Sequence, residues 1–356
     1  MKLIRHSLAF ASATLAAVMA MTSCSLINDD SDCVDSANVI SFSYDKNLKF
    51  ADAFDHEVKS VTLLAFDSNG TLAYAGRAKR DQLGDDGRSM TVRLAPGEYD
   101  MLVWAGDYDS DFNIPAPAVG TSRLTDFTCL LNMQPAHPDS PDAPATNGHS
   151  SAHLENLYHA LVHLKLPYAS PSNPARHNIN LTKNTNNIRV MLQQQDAEND
   201  LSENDFIFEI SDNNAHLCHD NSRHPESDKT NVTYHPWAVT SGITDYNKPE
   251  ISSKADAEAK LNFLIAEFTT GRLFADSNPM LTVTRRSDGK TLFSFPLVDY
   301  ALKIRGKDLE KMDNQEFLDR QDEYSMTFIL DKNLRWISVE ININGWTLKE
   351  IRQSLS

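Results

Sequence analysis

Four kinds of residue in this chain have the types and spacing to do chemistry: histidine pairs, a run of aspartates, four tryptophans and four cysteines. The pairs His149/His153, His159/His163 and His216/His219, the last with Cys218 between them, have spacings that suit a metal ion. A metal site also needs its ligands held rigidly by further hydrogen bonds. His149 and His153 fall in a Pro- and Ser-rich stretch, and His159 and His163 in a strand-like one, so these side chains are expected to be solvated and no metal is expected. Asp107-Tyr108-Asp109-Ser110-Asp111 opens like a calcium loop but lacks the glycine at position six and the glutamate at position twelve, and reads as a polar turn. Trp104, Trp237, Trp336 and Trp346 offer flat faces on which a sugar could stack. Trp104 ends an apolar strand and reads as core, whereas Trp346 follows Asn344-Gly345 and reads as exposed. The chain has no nucleophile elbow, HExxH, phosphate-binding loop or GxGxxG sequence. Its 49 acids single out no glycosidase pair. A non-enzymatic protein without a cofactor is expected.

The cysteines are Cys24, Cys33, Cys129 and Cys218, and Cys24 has the most telling surroundings. Lys2 and Arg5 precede an apolar stretch from Leu8 to Met21, and Thr22 and Ser23 follow it. At 14 residues this stretch is too short for the ~20 that cross a bilayer as a helix, and it has the layout of a secretory signal peptide. Met21-Thr22-Ser23-Cys24 resembles the lipobox of bacterial lipoproteins, which implies an acylated Cys24 as the mature N-terminus. The alternative is an ordinary signal peptide cleaved near Ala20 or Ser23. Each buried methylene contributes ~0.8 kcal/mol, so a multiply acylated cysteine attaches stably to a membrane without help from the folded part. Asp29, Asp30 and Asp32 follow within eight residues. That acidic run resembles the surface-export signal of Bacteroidetes lipoproteins, and is otherwise a solvated tether. Asp35-Ser36-Ala37 resembles the short O-glycosylation motif of the same phylum.

Removing residues 1–23 takes away two basic residues and no acid, leaving 31 Lys and Arg against 49 Asp and Glu. A net charge of −18 repels nucleic acid and anionic membrane surfaces, whose binding depends on Lys and Arg displacing counterions. Nucleic acid is therefore excluded as a partner. The three cysteines beyond Cys24 are too few and scattered for a disulfide framework, and the sequence does not choose a pair.

Short alternating segments dominate the mature chain and predict an all-β protein. Ile40, Phe42 and Tyr44 alternate. Residues 58–66 and 71–74 flank Asp67-Ser68-Asn69-Gly70 and predict a hairpin. Further strands are expected at 90–94, 98–104, 160–166, 187–192, 206–210, 281–285 and 291–295. Residues 134–153 and the proline cluster 167–174 are expected to be exposed loops. Residues 255–268 read equally as helix or buried strand, and 308–319 as a short helix. The chain closes with strands at 324–330 and 336–343, the latter carrying Ile337, Val339, Ile341 and Ile343 on one face at period two.

Several of these segments, in order, resemble the fimbrillin-associated anchor lipoproteins of Bacteroidetes, the FimB-like family. They are Phe42 to Phe54 with Val58-Lys59-Ser60-Val61; Pro96-Gly97-Glu98-Tyr99 leading to Trp104-Ala105-Gly106; Leu181 to Val190; Thr270-Gly271-Arg272-Leu273; Leu318 to Met326; and Trp336-Ile337 with Ile343-Asn344-Gly345-Trp346. The resemblance implies two tandem transthyretin-like β-sandwich domains after a lipoprotein signal peptide (1–23) and a lipidated acidic tether (24–37). The domains would span 38–180 and 181–356. It further implies a job at the base of a fimbrium: holding it to the outer membrane through the lipid on Cys24, setting its length, and joining pilin subunits by strand pairing. The candidate pairing region is 335–356, with Trp336, Ile337, Val339, Ile341, Ile343 and Trp346. A surface glycan-binding lipoprotein is the alternative with the same lipid, fold and charge.

Overall fold

In a computed structural model the described residues are 36–135, 148–195, 201–229, 231–246, 259–303, 305–306, 309–343 and 346–351. The alternating segments do form strands. In the first half they are β1 (Asn38–Ser43), β2 (Ser60–Phe66), β3 (Leu72–Lys79), β4 (Ser89–Val92), β5 (Gly97–Ala105), β6 (Phe112–Asn113), β7 (Cys129–Leu131), β8 (Gly148–Ser150), β9 (Tyr158–Leu166), β10 (Ala175–Asn180) and β11 (Thr182–Lys183). In the second half they are β12 (Thr185–Gln195), β13 (Phe206–Asp212), β14 (His216–Leu217), β15 (Val232–Tyr234), β16 (Ala238–Tyr246), β17 (Ala259–Gly271), β18 (Met280–Arg285), β19 (Lys290–Pro296), β20 (Glu323–Leu330), β21 (Trp336–Ile343) and β22 (Trp346–Ile351).

Two β-sandwiches result, as expected. The first sets the three-stranded sheet β10-β1-β4 against the five-stranded sheet β11-β9-β5-β2-β3, and the second sets the six-stranded sheet β16-β17-β12-β20-β21-β22 against β19-β18-β13-β15-β8. The hairpin predicted at 58–74 is β2–β3, with Asp67 accepting from Asn69 N and Thr71 N at 2.9 Å and Gly70 at φ +70°. From Ala259 on, the ambiguous segment is the long strand β17, paired with both β16 and β12, and residues 255–258 lie outside the described ones. The short helix lies at Asn314–Arg320, where Asp313 caps it by accepting from Gln315 N and Glu316 N. A second helix, Leu297–Lys303, falls where no element was expected.

The two halves are not separable at a single peptide bond. β8 leaves the first half to pair in parallel with β15 as the edge strand of the second sandwich. β14 of the second half in turn pairs with β7 of the first. The exposed loop expected over 134–153 is thus corrected at Gly148, His149 and Ser150, which are buried.

The β11-β9-β5-β2-β3 sheet has apolar side chains buried on both faces. Val61, Leu63, Ala65, Met101 and Val103 pack into the first sandwich. Leu64, Phe66, Leu102 and the wholly buried Trp104 belong to the same apolar cluster as the second sandwich. His159, opposite Trp104 across β5 and β9, holds its ring 4.6 Å from the indole and donates from Nε2 to the His219 carbonyl at 2.8 Å. Burial pushes its pKa down to about 3, so the imidazole is neutral at physiological pH.

A polar lock sits at the junction. The buried Lys183 places Nζ 2.6 Å from Asp322 Oδ2 and 3.2 Å from Glu57 Oε2, and Glu57 also accepts from the Tyr158 hydroxyl at 2.8 Å. Burial opposes the ammonium charge, but attraction to Asp322 and Glu57 outweighs it and holds the pKa above the ordinary 10.5. Nearby, Asn184 and Asn221 exchange side-chain amide bonds at 2.6 and 3.0 Å.

Two outcomes follow from this junction. Trp104→Ala is expected to cost about 3–5 kcal/mol, with both halves losing structure in one denaturant transition. Separate transitions would show that the shared core does not couple them. Lys183→Met strands two carboxylates that are a quarter to a third exposed, so its expected cost is reduced to about 1–3 kcal/mol. Because the folded pKa is raised, this contribution is complete below 10.5 and is lost as pH rises through the folded value. The stability gap between parent and variant, measured by urea midpoints from neutral to strongly alkaline pH, should therefore close only at the alkaline end.

Candidate functional site: a clamped first strand and an open last edge

The chain enters its fold already buried. Ser36, Asn38, Ile40 and Phe42 have no exposed surface, and Ala37 and Tyr44 are nearly as enclosed. The proline-cluster loop closes over this entry: Ala37 N donates to Ala169 O at 2.7 Å, and Ser36 Oγ and Asn38 Nδ2 reach Pro167 O at 3.4 Å. That loop is therefore a latch rather than a free connection. Ser36, the hydroxyl in the glycosylation-like triplet, is inaccessible in the folded chain.

β1 is the middle strand of its sheet. It runs parallel to β10 over six registered pairs, Asn38↔Ala175 to Ser43↔Asn180, and antiparallel to β4 over four. Strand alternation sends Ile40 and Phe42 into the core, where the Phe42 and Phe54 rings stack at 6.3 Å. A pull on Ser36 along the strand axis shears both ladders together, whereas an edge strand pulled sideways would open one bond at a time. Each ladder bond contributes about 0.5–1.5 kcal/mol, and each buried Ile or Phe about 1.5–3. Cys24 and the rest of the acidic tether up to residue 35 lie outside the described residues.

At the other end, β22 is the outermost strand of the six-stranded sheet. It pairs with β21 from Ser338↔Ile351 to Ile343↔Trp346, and its far side meets no strand among the described residues. Such an edge presents free main-chain donors and acceptors to an incoming strand. The opposite edge of the sheet is β16, which pairs with β17 over nine registered pairs.

The side chains expected to line this edge divide in two. β20 and β21 slip in register between Ile329 and Leu330, so that Leu330 pairs with Trp336 and Ile329 with Ser338. This bulge breaks the period-two reading at Ile337. Val339 is wholly buried, and Trp336 packs its indole 5.5 Å from Phe293 and 5.9 Å from Phe328. Val339 is thus closed off from a partner, whereas Trp336 is half-buried. Ile337 is turned out instead, with 38 % of its surface exposed. Ile341 pairs with Met326 and Leu348, and Ile343 with Trp346, in the main-chain register. The Asn344-Gly345 turn lies outside the described residues.

The histidine and aspartate groups have structural employment. His149 and His235 face each other in the interior, Nδ1 to Nε2 at 3.3 Å, and His163 meets Asp100 at 2.8 Å. His216 stacks on His224 at 4.0 Å. Asp109 is paired with Arg77, and Asp111 accepts from Glu155 N at 2.7 Å. Among the described residues no three His, Cys, Asp or Glu side chains converge on one point, and no helix is long and apolar enough to cross a membrane. Trp237, which the sequence left unplaced, is 39 % exposed beside a groove on the six-stranded sheet. Its exposure could not be read from sequence, because the residues around it come from distant strands.

Comparison with known proteins gives the chain a context. Residues 29–352 match the family model for fimbrillin-A associated anchor proteins Mfa1 and Mfa2. A "putative adhesin" from Bacteroides thetaiotaomicron is 31 % identical with a TM-score of 0.69, the match covering 90 % of this chain and 99 % of that one. A second protein of that organism, a "putative polysaccharide binding" one, is 26 % identical at a TM-score of 0.67, again over 90 % and 99 %. The fimbrial anchor protein Mfa2 from Porphyromonas gingivalis is 16 % identical and shares the fold, with a TM-score of 0.58 over 87 % and 98 % of the two chains. No curated protein sequence matches significantly. A family match across the whole folded part, joined to a fold with a clamped entry strand and an open final edge, settles the assignment: this chain belongs to the fimbrillin-A associated anchor protein family, and its role is fimbria-associated.

Proposed function

We propose that this protein is the membrane-tethered base of a fimbrium: lipid on Cys24 holds it to the outer membrane, and a C-terminal strand edge holds the first pilin. The observation that carries the reading is the burial of Ser36 to Ile40 and Phe42 at the entry to and along β1, the middle strand of its sheet, immediately after the proposed tether. A tether is useful only if the strand it pulls on stays in place. Here tension from the membrane enters a strand bonded on both sides and latched by the 167–169 loop. From there the shared core and the Lys183 lock carry it into the second sandwich.

The same arrangement sets length. A subunit that keeps its own first strand offers no vacated groove there, so polymerisation by strand exchange ends at this subunit. The joint then falls to β22 and the residues beyond it, through main-chain pairing, with Ile337 as the outward apolar contact. In this reading the family role is structural and the chain catalyses no reaction. A lipoprotein devoted to glycan capture would share the lipid and the sandwiches but would not co-purify with a pilin stack.

Two measurements in cells decide it. Cys24→Ala should abolish incorporation of labelled palmitate and release fimbriae into the medium, while the purified protein keeps its thermal midpoint. Fimbriae that stay cell-bound in this variant would sink the anchor reading. Deleting 347–356, with Cys24 intact, should leave the lipoprotein in the membrane fraction while the fimbriae detach or lengthen. Fimbriae that remain bound at normal length would remove the last strand from the joint.

A further inference from the structure

The groove beside Trp237 has the makings of a binding site separate from strand pairing. It lies on the outer face of the six-stranded sheet and encloses about 430 Å³, within the usual range for a small-molecule site. Three adjacent strands form its floor. Asn187 and Arg189 come from β12, Glu267 from β17, and Glu323 and Ser325 from β20. Alternation turns their neighbours Ile188, Phe268 and Tyr324 into the core, which fixes the polar residues in one plane.

Trp237 stands at the margin of this floor. Its backbone N donates to the Glu267 carbonyl at 2.9 Å, so the indole is held in fixed relation to the residue that does most in the floor. The His153 ring lies 4.4 Å from it at an interplanar angle of 33°. His153 follows β8, so the excursion from the first half supplies part of the wall. Arg189 bonds to Glu267 through Nε at 3.0 Å and Nη2 at 2.5 Å, both converging on Oε1. Glu267 Oε2 and Arg189 Nη1 take no part in that pair.

We infer that this groove binds a neutral pyranose sugar. The apolar C–H face of a pyranose stacks on an aromatic ring whose other edge is polar, as an indole offers. Its vicinal hydroxyls both donate and accept, and so match a planar acceptor next to a planar donor, the arrangement that Glu267 Oε2 and Arg189 Nη1 supply. Asn187 and Ser325 add neutral hydrogen-bonding groups of the same kind. Charge sets the class of sugar. One arginine faces two carboxylates, Glu267 and Glu323, on a chain of net charge −16, which disfavours sialic acids, sulfated glycans and phosphates. The inference does not rest on the anchor reading. It would give the protein a contact with surrounding glycans whether or not a fimbrium is attached.

The test is saturation-transfer NMR on the full chain with the methyl glycosides of glucose, galactose, mannose and N-acetylglucosamine at tens of millimolar. The expected result is saturable transfer to the ring C–H protons of at least one of them. Trp237→Ala, a change at an exposed side chain, and Glu267→Gln, which keeps the size, should each weaken that binding about tenfold or more, with the thermal midpoint unchanged. The α-methyl glycoside of sialic acid should give no transfer. Absence of transfer from all four neutral glycosides overturns the inference. So does binding that survives both substitutions, or a preference for the sialoside.

Discussion

One sheet with apolar side chains buried on both faces holds this molecule together. The strands β11-β9-β5-β2-β3 bury Val61, Leu63, Met101 and Val103 on one side and Leu64, Phe66, Leu102 and Trp104 on the other. An antiparallel sheet of a sandwich normally keeps one face wet. Here the second face is covered by material from both halves: the β6-β7-β14 sheet, Leu154 and Leu157, and the cluster that continues into the second sandwich. Because the second face is covered around Trp104, the two sandwiches cannot swing about a hinge without exposing that side chain. The polar groups at their junction must also find partners inside, which Lys183, Asn184 and Asn221 do.

The same constraint explains what the sequence disclosed. β1, the β2–β3 hairpin, β5, β13, β18, β19 and β20 were legible because each is a local alternating run closed by a turn. The continuous apolar stretch Leu63-Leu64-Ala65-Phe66 is buried on both faces, and nothing local in the sequence says what covers the second. β8 was hidden for a related reason. Gly148-His149-Ser150 has loop composition, and it becomes a strand only through parallel pairing with Val232-Thr233-Tyr234, more than eighty residues away. Propensity is a weak guide where non-local pairing decides. The bulge at Ile337 was hidden too, since a period-two pattern assumes an unbroken register, and one extra residue exchanges inside for outside.

The functional ends differed in legibility in the same way. The proposed tether rests on a linear signal in consecutive residues, Cys24 and the aspartates after it, which lie outside the described residues. The clamp could not be read that way, because it joins Ser36 and Asn38 to Pro167 and Ala169 and to a parallel neighbour at 175–180. The floor beside Trp237 draws on residues 187, 267 and 323–325, which come together only when β17, β12 and β20 are adjacent.

In the proposed function, a clamped first strand and an exchangeable last strand are opposite solutions to one problem. Strand pairing makes a strong joint because the ladder is long and the side chains are buried, and those features also make a strand hard to release. A subunit that must be held at one end and joined at the other therefore needs unequal strands. β1 has neighbours on both sides and Ile40 and Phe42 fully enclosed, so its removal would open the first core. β22 has a neighbour on one side only among the described residues, while β21, through Val339 and Trp336, closes the second core. The two terminal strands are thus held with unequal firmness, β1 from both sides and β22 from one.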